Sequence, residues 1–354
     1  MQLKAELGYS ALIQVVKSRT AQGFVPNWAT PAHKRTWSQP PIASRVLLEM
    51  YKKHNNSGWV VEFLFDDLYD WNTWFATERS LPPLNITCLG GPLDGRADGN
   101  PNPMQVGRWE SGMDNSPMFD AWTGDFADNK MQMYVAGQSS LHTMDSDALA
   151  TLATAIGRHA EAAVLQQRAD AMRQRIADNL WDQELGVFVN KLPNGTFNRR
   201  ISPTSFYPLI VKAATDAQVD RTAASWLLNS SRFCLSPKGD FAGNSDECYW
   251  GLPSISADDA AFPALGYWRG YVWGPMAMLT YWGLDEYPSV PNAVQARRSL
   301  VKQMNAMMLK QWRNNGDVCE NFSPHADQVG CTGLPFYHWG ALTGYLSLLE
   351  AGFY

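Results

Sequence analysis

The sequence predicts an all-α protein. About ten segments place apolar residues at three- and four-residue steps, two prolines stand where helices begin, and a strand signal occurs in one place only. Residues 3–17, 41–53 and 60–77 open the series. Asp145-Ser146-Asp147 then predicts the start of a helix running to 160, and 161–180 continues with apolar positions at Val164, Leu165, Ala169, Met172 and Ile176. Residues 186–197 alternate around Asn194-Gly195 and predict a hairpin. Further helices are predicted over 203–214, 216–228, 269–282, 291–312 and 335–351, with Pro291 and Pro335 in a first turn that tolerates a missing N–H. The connections 81–116, 230–267 and 314–334 are long and rich in Gly, Pro, Asn and Trp, a length that usually marks function. The expectation is a single domain over 1–354 with these loops gathered on one face.

Composition narrows the class. Of 354 residues, 45% are hydrophobic and 18% charged, which excludes a disordered chain. The net charge of −5 supplies no positive field to gather phosphates, so neither nucleic acid nor an anionic membrane is an expected partner. No apolar run is long enough to span a membrane. Fifteen Trp, 13 Tyr and 15 Phe suit a surface that stacks on sugar rings and hydrogen-bonds at their edges, although a Trp-rich core is the plainer alternative. Cys88, Cys234, Cys248, Cys319 and Cys331 include no C-x-x-C, which argues against a zinc knuckle or a thioredoxin-type site. Two pairs, Cys234 with Cys248 and Cys319 with Cys331, could close short loops. No pair of the six histidines has metal-ligand spacing, and no metal is expected. Asn-x-Ser/Thr acceptors at Asn55, Asn85, Asn194, Asn229 and Asn321 favour the secretory pathway over the cytoplasm.

Residues able to do chemistry concentrate in the long loops. In RWESGMDNSPMFD, Glu110 and Asp114 flank Gly112, where glycine lets the backbone pass closely under a ligand. Trp109 and Met113 are expected to raise the Asp114 pKa toward that of a general acid, the alternative being a loop Asp that caps the next helix. In DVCENFSP, Glu320 is a carboxylate in an aromatic loop; with Asp114 it supplies the two acids that glycoside hydrolysis requires. GYWRGYVWGP sets Tyr267, Trp268 and Trp273 around Arg269, either as stacking rings about a cation or as a core seam with Arg269 paired to an acid. Trp28, Trp37 and Gln39 offer an aromatic and amide lining before a helix. His338 and Trp339 lie on the first turn of another. No G-x-S-x-G, P-loop or H-E-x-x-H occurs, so acyl transfer, nucleotide hydrolysis and zinc proteolysis lack their signatures.

The ordered set GFVPNW with SQPP, WESGMDNSP, YWRGYVWGP and CENFSP followed by HWGA resembles glycoside hydrolase family 63, nearer its mannosylglycerate hydrolase-like and bacterial glucosidase-like branch. The resemblance runs from about Gly23 to Leu349. It implies an (α/α)6 barrel with a sugar pocket at one end, Asp114 as general acid, Glu320 as general base, and Trp109, Gln39, Tyr267, Trp268 and Arg269 lining the pocket. The activity it implies is inverting hydrolysis of an α-linked glucoside or mannoside, such as mannosylglycerate, glucosylglycerate or an α-glucosyl oligosaccharide, without a cofactor. A small carbohydrate is the expected partner. The family's upstream Trp-Asp segment and first helices have no counterpart before Leu3, so the barrel is expected to be incomplete at its N-terminus. An α,α-trehalase, which shares the E-S-G-x-D loop, and a non-catalytic sugar-binding remnant are the alternatives.

Overall fold

The computed structural model describes residues 2–54, 58–92, 103–120, 126–235, 251–325, 331 and 333–353. They form two compact units. The first comprises Met1–Asp114, Thr123–Asn179 and Asn190–Thr196. It holds helices α1 (Gln2–Lys17), α2 (Ala43–Lys53), α3 (Gly58–Glu78), α4 (Pro103–Glu110), α5 (Ala136–Ala155) and α6 (His159–Asn179). Leu47, Val60, Leu64, Phe75, Leu149 and Leu165 share one apolar core, and α5 packs against α2, α3 and α6. The α6 positions Leu165, Ala169, Met172 and Ile176 are buried at the predicted spacing.

Two expectations for this unit need correction. Helix α5 begins at Ala136, not at 145, and Asp145 sits buried within it. The first turns escape apolar periodicity because they are buried polar turns. Ser139, Ser140, Thr143 and Ser146 each donate to the carbonyl four residues back and so satisfy their own hydroxyls. The region expected to be loop from 81 to 116 contains α4 and the short strands Ser80–Leu81 and Ile86–Thr87, which pair antiparallel. The Asn194-Gly195 turn forms as predicted, with Leu192 N donating to Thr196 O at 2.9 Å.

The second unit comprises Asn115–Trp122, Leu180–Val189 and Phe197–Tyr354. Its helices are α7 (Asp216–Thr222), α8 (Gly274–Asp285), α9 (Pro291–Asn315) and α10 (His338–Glu350). Thr215 and Gln218 form a reciprocal capping box on α7, which runs on through one π turn, Ala223–Leu227. Pro291 opens α9 as predicted, and Gly316 closes it in the left-handed conformation. Helix α10 packs on α8 and α9, above a core that includes Phe206, Trp226, Val272, Met304 and Leu346.

Three predicted helices differ here. Pro203–Leu209 is a 3-10 segment with Pro208 inside it, which removes an α-helical donor. Helix α8 starts at Gly274 rather than 269, because Gly266 and Arg269 pair across a tight turn in which Tyr267 has φ +57°. Helix α10 starts at His338 rather than 335. Phe336 takes φ +54°, and Pro335 bridges to Cys319 instead. Among the described residues no helix is long and apolar enough to cross a membrane.

Candidate active site

In the first unit, α4 delivers the RWESGMD segment at its C-terminal end. Glu110 is fully buried and accepts from Arg79 Nε at 2.6 Å, Arg79 Nη2 at 2.8 Å and Gly90 N at 2.6 Å. Arg79 also donates to Gly91 O and lies 4.4 Å over the Trp74 ring. Glu110 is therefore the anchor of the loop, its charge matched by a bidentate guanidinium. Beyond it, Gly112 turns at φ +74°, as the sequence suggests, and Ser111 Oγ accepts from Met113 N at 3.1 Å. Gln105 Nε2 donates to Asp114 O at 2.8 Å, fixing the backbone that carries the acid.

Of the predicted binding residues in this unit, Trp109 belongs to this segment and Gln39 lies beside it. Trp109 stacks on Trp37 with centroids 4.8 Å apart. Gln39 and Pro40 lie within van der Waals reach of a Cβ at 112. Gln39 Nε2 and Trp37 Nε1 are buried donors with no hydrogen bond among the described residues. Trp28 is exposed, with His33 edge-on to its ring and Arg35 over it. Of this set, Gln39 lies beside Gly112, and Trp109 O accepts from Gly112 N at 3.0 Å.

In the second unit, Glu320 is 8% exposed. Its Oε1 accepts from the Tyr267 hydroxyl at 2.9 Å and its Oε2 from Leu334 N at 3.3 Å, while Glu320 N donates to Leu334 O at 3.0 Å. The disulfide Cys319–Cys331 holds these two segments together. A Cβ at Gly333 would overlap Glu320 Oε2, so glycine is required for the carboxylate to lie where it does. Tyr337 has its phenol pKa raised by burial and by the Glu320 charge. Cys234 is also disulfide-bonded; Cys248, its predicted partner, lies outside the described residues.

The YWRG turn resolves into separate roles. Tyr267 reaches Glu320. Trp268 is buried and stacks on Trp273 at 3.6 Å, with Trp339 edge-on to both, the core seam among the predicted alternatives. Arg269 is paired with an acid, donating to both Asp120 oxygens at 3.0 and 2.5 Å. Asn115 ties the turn down by donating to Gly266 O and accepting from Trp268 N. His338 is exposed and stacks on Tyr337 at 4.9 Å. Sequence reading missed Arg79, Asn115, Asp120 and Gly333. Asn115 and Asp120, both inside the RWESGMDNSPMFD segment, carried a local signal. Asp317, Cys319 and Cys331 cluster with metal-ligand types, but the two sulfurs are bonded to each other.

Residues 3–339 match the mannosylglycerate hydrolase MGH1-like glycoside hydrolase domain. The mannosylglycerate hydrolase MGH1 of Selaginella moellendorffii is 23% identical over 362 aligned positions, covering 81% of this chain and 67% of that protein. Among solved structures, the GH63 mannosylglycerate hydrolase from Thermus thermophilus superposes in its complex with Tris at TM-score 0.74 and 15% identity, covering 98% of this chain and 89% of that one. Its complex with glucose gives 0.72 and 17%, covering 96% and 87%. Neutral trehalase Nth1 from Saccharomyces cerevisiae gives 0.73 and 16%, covering 98% and 68%. The fold is thus the all-α (α/α)6 type of these enzymes.

Proposed function

This chain belongs to the mannosylglycerate hydrolase MGH1-like family of glycoside hydrolases within family 63, and on that premise we propose that it hydrolyses an α-linked mannoside or glucoside with inversion, Asp114 acting as general acid and Glu320 as general base. Asp114 gives its proton to the glycosidic oxygen as the bond to the anomeric carbon breaks. Glu320 takes a proton from the water that attacks the opposite face, through an oxocarbenium-like transition state. The Tyr267 hydroxyl and Leu334 N hold the Glu320 carboxylate for that role. Gln39 Nε2 and Trp37 Nε1, buried without partners among the described residues, are donors suited to sugar hydroxyls.

The observation that most supports this reading is the Glu110 anchor. Its buried pairing with Arg79 occupies Glu110, which supports Asp114 as the acid of the E-S-G-x-D loop. We place mannosylglycerate first, the substrate the relatives are named for, with glucosylglycerate and α-glucosyl disaccharides next.

The test is turnover of purified protein on mannosylglycerate, glucosylglycerate, trehalose and α-glucosyl disaccharides, with the first-formed anomer read by proton NMR. The β-anomer is expected first, and Asp114→Asn and Glu320→Gln are each expected to lower kcat by roughly 10²–10⁴. The α-anomer first would mean retention. Turnover of trehalose alone would make the protein a trehalase, and none on any substrate would leave a sugar-binding remnant.

A further inference from the structure

A cavity of about 310 Å³ opens in the first unit among α3, α5 and α6, and it shares no residue with the Asp114 loop. Helix α6 supplies one wall through Arg168, Ala171, Met172 and Arg175. These follow steps of three, one and three residues, so they lie on one helix face, and the small Ala171 leaves room between the two guanidinium groups. Phe75 from α3 gives an apolar side, and His142 and Thr87 give polar ones.

The charge balance of α6 sets these two arginines apart. Arg173, elsewhere on the same helix, pairs with Asp147 and Asp170, and Arg158 just before the helix pairs with Glu161 and Asp66. Arg168 and Arg175 have no carboxylate within ion-pair distance among the described residues. Arg168 Nη1 donates to Asn72 Oδ1 at 2.5 Å and to Thr73 Oγ1 at 3.4 Å, and Arg175 Nη1 donates to Asn85 O at 3.2 Å. Each guanidinium carries five N–H donors, so both keep Nε and Nη2 for other use.

The charges of Tyr69 and Asp145 act on Arg168 without forming an ion pair. Asp145, the acid whose charge acts on Arg168, is engaged by Ser44 N and Asn72 Nδ2, and Asn72 stands between the two. Burial and the Arg168 charge hold His142 neutral, with its pKa down to about 3. The cavity thus presents two guanidinium forks without an ion pair among the described residues, that of Arg168 partly desolvated, the arrangement that suits a planar or tetrahedral oxyanion.

We propose that this cavity is a second binding site, for a small metabolite carrying a phosphate or carboxylate group held between Arg168 and Arg175, with its carbon skeleton against Phe75 and Met172. The site does not depend on the hydrolase reading.

Isothermal titration of the intact protein with inorganic phosphate and with malonate, at fixed ionic strength, tests it. Saturable binding of one or both is expected, with a Kd of about 1 mM or tighter. Arg168→Gln and Arg175→Gln should each weaken it about tenfold or more, since a charge-assisted hydrogen bond is lost. Arg173→Gln should leave it unchanged. Preference for phosphate would assign a phosphate monoester, and preference for malonate a carboxylate. If Arg168→Gln fails to fold through loss of Asn72, Arg175→Gln decides, its one described bond being to a backbone carbonyl. No saturable binding of either anion, or an equal loss in Arg173→Gln, would overturn the proposal.

Discussion

Arg79 closes on Glu110 through two hydrogen bonds, from Nε to Oε2 at 2.6 Å and from Nη2 to Oε1 at 2.8 Å, with both side chains shut off from solvent. Of the two acids of the E-S-G-x-D loop, Glu110 is thus held for structure, and the proposed reaction falls to Asp114. Removing one partner of a buried pair leaves an uncompensated charge, so Glu110→Gln or Arg79→Met should destabilise the protein by about 3–5 kcal/mol. Calorimetric melting should show that loss. Asp114→Asn should lose turnover while its melting temperature stays close to that of the parent.

Gly333 gives a second, sharper test. The overlap of a Cβ at 333 with Glu320 Oε2 means that Gly333→Ala must push the carboxylate away from Tyr267 and Leu334 N. The loss should fall on kcat, by about tenfold or more for one charge-assisted bond disrupted, with KM little changed. An alanine variant with parental kcat would show that the position of Glu320 does not govern the rate.

The Cys319–Cys331 disulfide joins the residue before Glu320 to the residue two before Gly333, across a separation of 12 residues. Loop-closure entropy for a ring of this size is worth about 3 kcal/mol. The double variant Cys319→Ser with Cys331→Ser should lose stability of that order and lower kcat more than it raises KM. Reductant is the poorer probe, since it would also open the bond at Cys234. Steady-state kinetics beside urea unfolding of the double variant separate the two effects.

What the sequence revealed, and what it hid, divides along physical lines. Helices α1, α3 and α9 were legible because each buries a stripe and leaves the rest to solvent, which writes a 3.6-residue period into the chain. The start of α5 was not, because it is buried on every side and fills its interior with hydroxyls bonded to its own carbonyls. The Asp114 and Glu320 loops were found through glycine, aromatic and acid clustering. Arg79, 31 residues from Glu110, was hidden, and although Tyr267 was found, its pairing with Glu320 across 53 residues was not. A long-range partner leaves no trace in local pattern: of the two readings the sequence offered for Arg269, pairing with an acid is the one observed, but that the acid is Asp120 could not be read locally.

The acid side of the stability profile should be governed in part by the polar interior of α5. Burial, with the charge of Arg168, lowers the His142 imidazole to about 3, against an unperturbed value near about 6.5. Between those values the unfolded chain binds a proton that the native state refuses, so stability rises with pH there. The contribution of neutral His142 is complete above about pH 6.5 and is lost as pH falls toward about 3. Asp145 works in the opposite sense. Burial raises its carboxyl pKa, despite hydrogen bonds from Asn72 and Ser44, so the native state takes up a proton before the unfolded chain does and is relieved as pH falls toward the ordinary aspartate range. His142→Gln keeps a donor for Asn72 O, which His142 Nε2 contacts at 3.0 Å, and removes the titration. Urea midpoints followed from about pH 7 to about pH 4 should then show a shallower acid-side slope in the variant than in the parent, because the proton-uptake difference at 142 is gone. An unchanged slope would mean that His142 does not titrate on unfolding.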